Sequence, residues 1–246
     1  MSSWISLAAA GEVGGDFFKE RSSDTLPCQA KTDEVFCFDW ARENIDRFGT
    51  PTVEHLEMVV LSVLLGFVVA FALALLAHRA RWLQPPLLAA TGVLYTVPSI
   101  AFFFLLLPLT GFGKDTAIIV LAAYTLQIIY RNTMLGLANV PASVKDAARG
   151  MGLTKRQILW RVELPLAIPE IIGGLRIASV STIAIATLAV LISAGGLGTQ
   201  MYGANLTFPT SIIIAAAIVI LMALLIDALL LLVQRLATPW RRARSA

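Results

Sequence analysis

Charge is scarce in this chain. Asp, Glu, Lys and Arg make up 14% of its 246 residues, against about a quarter in an ordinary soluble domain. With 57% hydrophobic residues and a mean hydropathy of +0.78, that shortage points to a membrane protein. Histidine is limited to His55 and His78, and cysteine to Cys28 and Cys37. No group of these residues has the spacing of metal ligands, so no metal site is expected. The two cysteines sit in a polar N-terminal segment. They read either as a disulfide, if that segment lies outside the cell, or as two unpaired thiols. There is no phosphate-binding loop. The nearest string, Gly113-Lys114-Asp115, has Pro108 where the first glycine belongs and Asp where Ser or Thr belongs. There is no nucleophile elbow and no His/Asp/Glu cluster inside the apolar stretches, so the chain does not read as an enzyme. A signal peptide is not expected either: the apolar run Trp4 to Ala10 is short, lacks a basic start and is soon followed by Glu12 and Asp16.

Long apolar stretches are what the chain has instead. Five are near the roughly 20 residues a helix needs to cross a bilayer: about Met58 to Ala77, Leu87 to Leu109, Thr116 to Tyr130 with an extension toward Leu137, Leu166 to Ile192, and Ser211 to Val233. Backbone groups in hydrocarbon must bond internally, so these spans are predicted as helices and the fold class as all-α integral membrane. Pro98 predicts a kink in the second span, read either as part of a gate or as packing geometry. Residues 1–57 carry five Lys/Arg and eleven Asp/Glu, whereas residues 58–246 carry fourteen and five. The basic residues lie beside the spans, where they set orientation rather than bind nucleic acid. With the N-terminus outside and the C-terminus inside, the inner side holds Arg79, Arg81, Arg131, Lys145, Arg149, Lys155, Arg156, Arg161, Arg235, Arg241, Arg242 and Arg244; the outer side holds Lys114, with Arg42 and Arg47 nearest the first span. The expected organisation is a polar segment over 1–55, a membrane domain over 56–236 with an inner loop at 138–165, and a basic tail over 237–246. Phe36 to Phe48 interleaves aromatics with charges and reads either as an interfacial helix or as a polar tail.

That inner loop is a polar insert in the middle of an apolar chain: Asp146-Ala147-Ala148-Arg149-Gly150-Met151-Gly152, then Leu153 to Arg161, then Val162-Glu163-Leu164-Pro165. The alanines favour a short helix, Ser143 is placed to cap it, and Gly150 and Gly152 to end it. Ala147 and Ala148 would let a partner surface approach closely, with Asp146 and Arg149 making charged contacts at its rim. Basic residues alone also fit a solvated loop near anionic lipid heads. The spacing resembles the permease subunits of ABC importers, whose cytoplasmic loop reads Glu-Ala-Ala, three residues, Gly, nine residues, Ile-x-Leu-Pro. This sequence departs from it with Asp146 for Glu and Val162 for Ile. The resemblance implies a coupling helix that fits a groove on an ATPase subunit, with Asp146, Ala147, Ala148, Arg149, Gly152, Leu164 and Pro165 at the coupling positions. It also implies two ABC ATPase subunits that bind ATP and Mg, a second permease (identical or related), an extracytoplasmic substrate-binding protein, and a multi-pass location in the bacterial cytoplasmic (inner) membrane. No cofactor is expected in this chain itself.

Small and hydroxyl residues crowd the fourth span: Gly173, Gly174, Ser179, Ser181, Thr182 and Thr187. They read as close helix packing or as the lining of a polar passage, which makes Pro98, Ser179 and Thr182 candidate pathway positions. Glu170 and Arg176 lie in the inner part of that span, placed so that they could pair, and Asp227 lies in the fifth; each reads either as pathway lining or as an interhelical contact. The loop Ile192-Ser193-Ala194-Gly195-Gly196-Leu197-Gly198 reads as a moving gate element, through Gly195, Gly196 and Gly198, or as a simple turn. Together with Thr96-Val97-Pro98-Ser99, Tyr130-Arg131-Asn132-Thr133 and Val162-Glu163-Leu164-Pro165-Leu166-Ala167, this loop resembles osmoprotectant permeases. That group imports glycine betaine, choline, carnitine or proline, and its binding proteins commonly hold the quaternary ammonium in an aromatic cage. The methionine importer permease is the alternative resemblance. An ATP-independent channel or an intramembrane enzyme is the reading from a different class.

Overall fold

The computed structural model describes residues 36–202 and 209–239. Cys28, the tail cations Arg241, Arg242 and Arg244, and residues 203–208 lie outside the described residues. The chain divides into two units, Met1–Asp46 and Arg47–Ala246. In the first, α1 (Phe38–Asn44) covers part of the aromatic stretch. The Phe36 and Phe38 rings meet edge to face at 4.8 Å, and Cys37 is disulfide-bonded.

The second unit is helical, with no strand among the described residues. Its elements are α2 (Gly49–Arg79), α3 (Gln84–Thr96), α4 (Ser99–Thr110), α5 (Lys114–Ala138), α6 (Ala142–Gly150), α7 (Lys155–Ile158), α8 (Leu164–Ala186), α9 (Gly198–Tyr202) and α10 (Pro209–Ala237). The helical runs ending at Arg79, Ala138, Ile192 and Ala237 are long and apolar enough to cross a membrane, and the bent pair α3–α4 makes up to five spans. The third span takes its extended reading: α5 continues through Arg131 and Asn132 to Ala138.

Helix α5 sits at the centre, packed by α2, α8, α3 and α4. Close approach is built on small residues, as membrane helices require when lipid offers no hydrophobic gain for association. A Cβ on Gly66 of α2 would lie 1.6 Å from Thr125 Oγ1 of α5, and one on Gly174 of α8 would lie 2.5 Å from Asn132 Cβ. Ala70, Ala74 and Ala77 of α2 pack with Ile129 and Tyr130 of α5 and Ala178 of α8. At the α6 end, Leu137, Leu164, Ala167 and Ile171 form a second cluster.

The second span is broken rather than kinked. α3 and α4 meet at 99°, with Pro98 outside both helices at the N-cap of α4. Proline biases the preceding residue to extended backbone, and Val97 takes ψ 128°. The break leaves the Val97 carbonyl without a helical partner, and the Tyr124 hydroxyl of α5 donates to it. The Tyr124 ring meets Tyr95 of α3 at 6.0 Å and Phe102 of α4 at 5.8 Å, both edge to face. One side chain thus braces both halves of the bend. Tyr124→Phe keeps the ring contacts but orphans the half-buried carbonyl, a loss of about 1 kcal/mol. The expected result is a lower melting temperature of the purified protein with normal membrane insertion; an unchanged melting temperature refutes the brace.

Candidate functional site

The polar insert folds as α6, a turn, α7 and a π-helical segment that runs into α8. Ser143 does not cap α6. The N-cap is Pro141, and Ser143 lies within the first helical turn; proline's fixed φ suits the chain's entry to a helix without a side-chain cap. The C-terminus is a Schellman motif. Gly152 N–H bonds Arg149 O at 2.9 Å, Leu153 N–H bonds Ala148 O at 3.2 Å, and Gly152 takes φ +80°, the left-handed value that glycine reaches without a Cβ penalty. This explains why the pattern ends on glycine at 152. The alanines divide: Ala147 is exposed, whereas Ala148 is buried within the chain, so only the first is open to a partner. Asp146 and Arg149 form an exposed i,i+3 pair at 3.0 Å.

Two further features of this region lie outside the pattern that the loop resembles. Thr154-Lys155-Arg156-Gln157 is a capping box, with reciprocal Thr154 and Gln157 bonds at the start of α7. Pro165, which has no N–H for the Arg161 carbonyl and whose ring presses on it, favours a wider turn; the chain is π-helical over Leu159–Glu163, with Leu164 N–H on Leu159 O. The π turn rotates Glu163 inward. Its side chain is only 9% exposed, and it meets His78 Nε2 at 2.7 Å and Lys145 Nζ at 3.3 Å. Lys145 also donates to Leu137 O at 3.4 Å. Leu164 is buried in the neighbouring apolar cluster and Pro165 is half-buried.

At the opposite end of the unit the glycine loop is packed, not free. Ser193, Gly195 and Gly196 all have positive φ, and Ala194, Leu197 and Gly198 are buried. Glu54 of α2 accepts from Gly196 N–H at 3.0 Å, and His55 Nε2 bonds Ile183 O at 3.0 Å. Lys114 meets Glu57 at 3.1 Å, and Gly113 N–H bonds Ile192 O at 2.9 Å. Ser179 and Thr182 are buried, each donating to its own helix four residues back. Arg176 does not pair with Glu170. It bonds Asp227 of α10 through two contacts of 2.8 and 2.9 Å and also reaches Gln234. Six residues along a helix turn through about 240° relative to one another, so Glu170 points elsewhere. Among the described residues no group of His, Cys, Asp and Glu could hold a metal ion.

Comparison with known proteins agrees with this architecture. A family model described as the binding-protein-dependent transport system inner membrane component matches residues 62–243. The osmoprotectant import permease protein OsmW of Salmonella typhimurium strain LT2 is 37% identical over 203 residues, covering 80% of this chain and 94% of that protein. The glycine betaine/carnitine/choline transport system permease protein OpuCB of Bacillus subtilis strain 168 is 36% identical over 189 residues, covering 76% of this chain and 87% of that protein. Among solved structures, the inward-facing MetNI methionine ABC transporter matches with a TM-score of 0.69 at 22% identity, over 78% of this chain and 96% of that one. At that identity the likeness shows the fold alone.

Proposed function

We propose, for a chain that belongs to the binding-protein-dependent transport system inner membrane components and is a permease subunit of an ABC importer, that the solute it passes is a small osmoprotectant: glycine betaine, choline, carnitine or proline. The observation that carries this reading is the identity above one third, spread over most of the chain, to permeases named for osmoprotectants. A methionine substrate has weaker support, since the methionine transporter shares only the fold at 22% identity.

In this reading α6 is the coupling helix. The α6 end faces the cytoplasm, where two ATPase subunits bind ATP and Mg, and the N-terminus lies outside, as the positions of Lys and Arg favour. The exposed Ala147, Asp146 and Arg149 support such a contact, because they leave a small, charged surface unpartnered by the bundle. A second permease copy or a related chain completes the path, an extracytoplasmic binding protein delivers the solute, and the assembly resides in a bacterial inner membrane. ATP-driven closure moves the spans only if the two arrangements bind the ATPase differently.

The test is uptake into vesicles holding the complete importer, with labelled glycine betaine, choline, carnitine, proline and methionine. Accumulation of at least one osmoprotectant that requires both ATP and the binding protein is the expected result. Accumulation of methionine alone refutes the substrate reading, and accumulation without ATP refutes the importer reading.

A further inference from the structure

We propose that Glu163 is the positioning residue through which α6 drives the membrane helices. This rests on α6 being the ATPase contact. Removing a carboxylate from water costs several kcal/mol unless cations repay it. Here two partners do so, the Lys145 ammonium and the His78 ring, and each comes from a different element: Lys145 from α6 and His78 from the last turn of α2. Glu163 itself stands at the root of α8. Three elements therefore meet on one buried side chain.

The hold of α6 on the bundle is otherwise slight. Ala148 is its one buried residue, and the Asp146–Arg149 pair lies within α6 itself. A load applied to α6 passes through Lys145 into Glu163, then along α8 and, through His78, into α2. α8 is 23 residues long, about 34 Å at helical rise. It leads directly into the 3-10 turn Thr187–Ile192 and the glycine loop that Glu54 holds. α2 carries that same Glu54 and His55 at its opposite end. The two helices that Glu163 joins at the α6 end are thus joined again across the glycine loop. A rigid fastening at one end is what a two-helix lever needs. If stability alone were required, apolar packing of the same volume would serve as well or better.

The experiment uses the whole importer in proteoliposomes and reads ATP hydrolysed and solute accumulated in the same sample. Glu163→Gln keeps the size and removes the charge; Lys145→Met removes its α6 partner. The expected result for each is hydrolysis within about threefold of wild type and uptake reduced about tenfold or more, so that ATP consumed per solute rises by a similar factor. The double variant is no worse than Glu163→Gln alone, because that variant already breaks the Lys145–Glu163 link that Lys145→Met removes. Hydrolysis and uptake falling by the same factor overturns the proposal, as do multiplying losses or an unchanged ratio. If Glu163→Gln fails to assemble, Lys145→Met, whose side chain is 21% exposed, decides by the same ratio. A wild-type complex that moves solute without ATP refutes the importer reading instead, so the two failures are distinct.

Discussion

Gly198→Ala is expected to leave little folded protein in the membrane. A Cβ at this position would lie 2.0 Å from the Thr187 carbonyl oxygen, 3.0 Å from its carbon and 3.2 Å from Val190 Cβ. The first obstacle is backbone, so no rotamer change relieves it. Thr187 opens the 3-10 turn that ends at Ile192, and that turn is held on both sides. Ile192 O receives Gly113 N–H, and Ala194 N–H bonds Ala189 O. Ala189, Ile192, Ala194 and Leu197 are all buried. Overpacking by a single methyl costs about 1–3 kcal/mol in cores that can shift; this one cannot shift without moving the junction of α8 with α4 and α5. Proteins are marginally stable, by about 5–15 kcal/mol, so a loss of about 3 kcal/mol or more is expected to reduce the membrane-inserted level severalfold. Gly49→Ala is the control, because nothing lies within 4 Å of its Cβ position. Quantitative blotting of membrane fractions reads both. A wild-type level of Gly198→Ala shows that the loop is not packed as described.

The spans were legible because lipid imposes a length and a composition that no other environment imposes. The ends of α5 were less so: beyond Tyr130, Arg131 and Asn132 lower its hydropathy, yet packing by α8 keeps it helical. Hydropathy also cannot register direction, so Leu87 to Leu109 read as one span although it turns through 99° at Val97–Pro98. The proline was visible; Tyr124, which accommodates the break, was not, because its partner lies 27 residues away. Distance in sequence hid the charged contacts for the same reason. Arg176 lies 51 residues from Asp227, and Glu163 lies 85 from His78. Glu163 occupied the unspecified position of a recognised pattern, and only the π turn re-aims it into the bundle. The loop's punctuation, by contrast, followed from local chemistry: glycine at 152 is required by a positive φ that few other residues tolerate.

Asp146→Ala is expected to abolish most transport while leaving the protein itself intact. Among the described residues its only ionic contact is with Arg149, and the two side chains are 66% and 68% exposed. Exposed pairs of this kind contribute about 0–1 kcal/mol, and helical ones about 0.3–0.5, so membrane level and melting temperature should not move. Any large effect must then arise where α6 meets another subunit. Asp146 is the sole acid on α6. Losing a charge-assisted contact at a desolvated interface costs about 2–5 kcal/mol, enough to reduce ATPase co-purification and ATP-dependent uptake tenfold or more. Gly152→Ala should act on the same contact from inside the chain. Nothing obstructs its Cβ, so the penalty is the left-handed backbone alone, about 1–2 kcal/mol, and the direction in which the chain leaves α6 changes. Its uptake should fall less than that of Asp146→Ala, with a small loss in melting temperature that Asp146→Ala does not show. Normal co-purification and normal uptake in Asp146→Ala would remove α6 as the ATPase contact. Loss of membrane insertion in that variant would assign Asp146 a role in folding that its exposure gives no reason to expect.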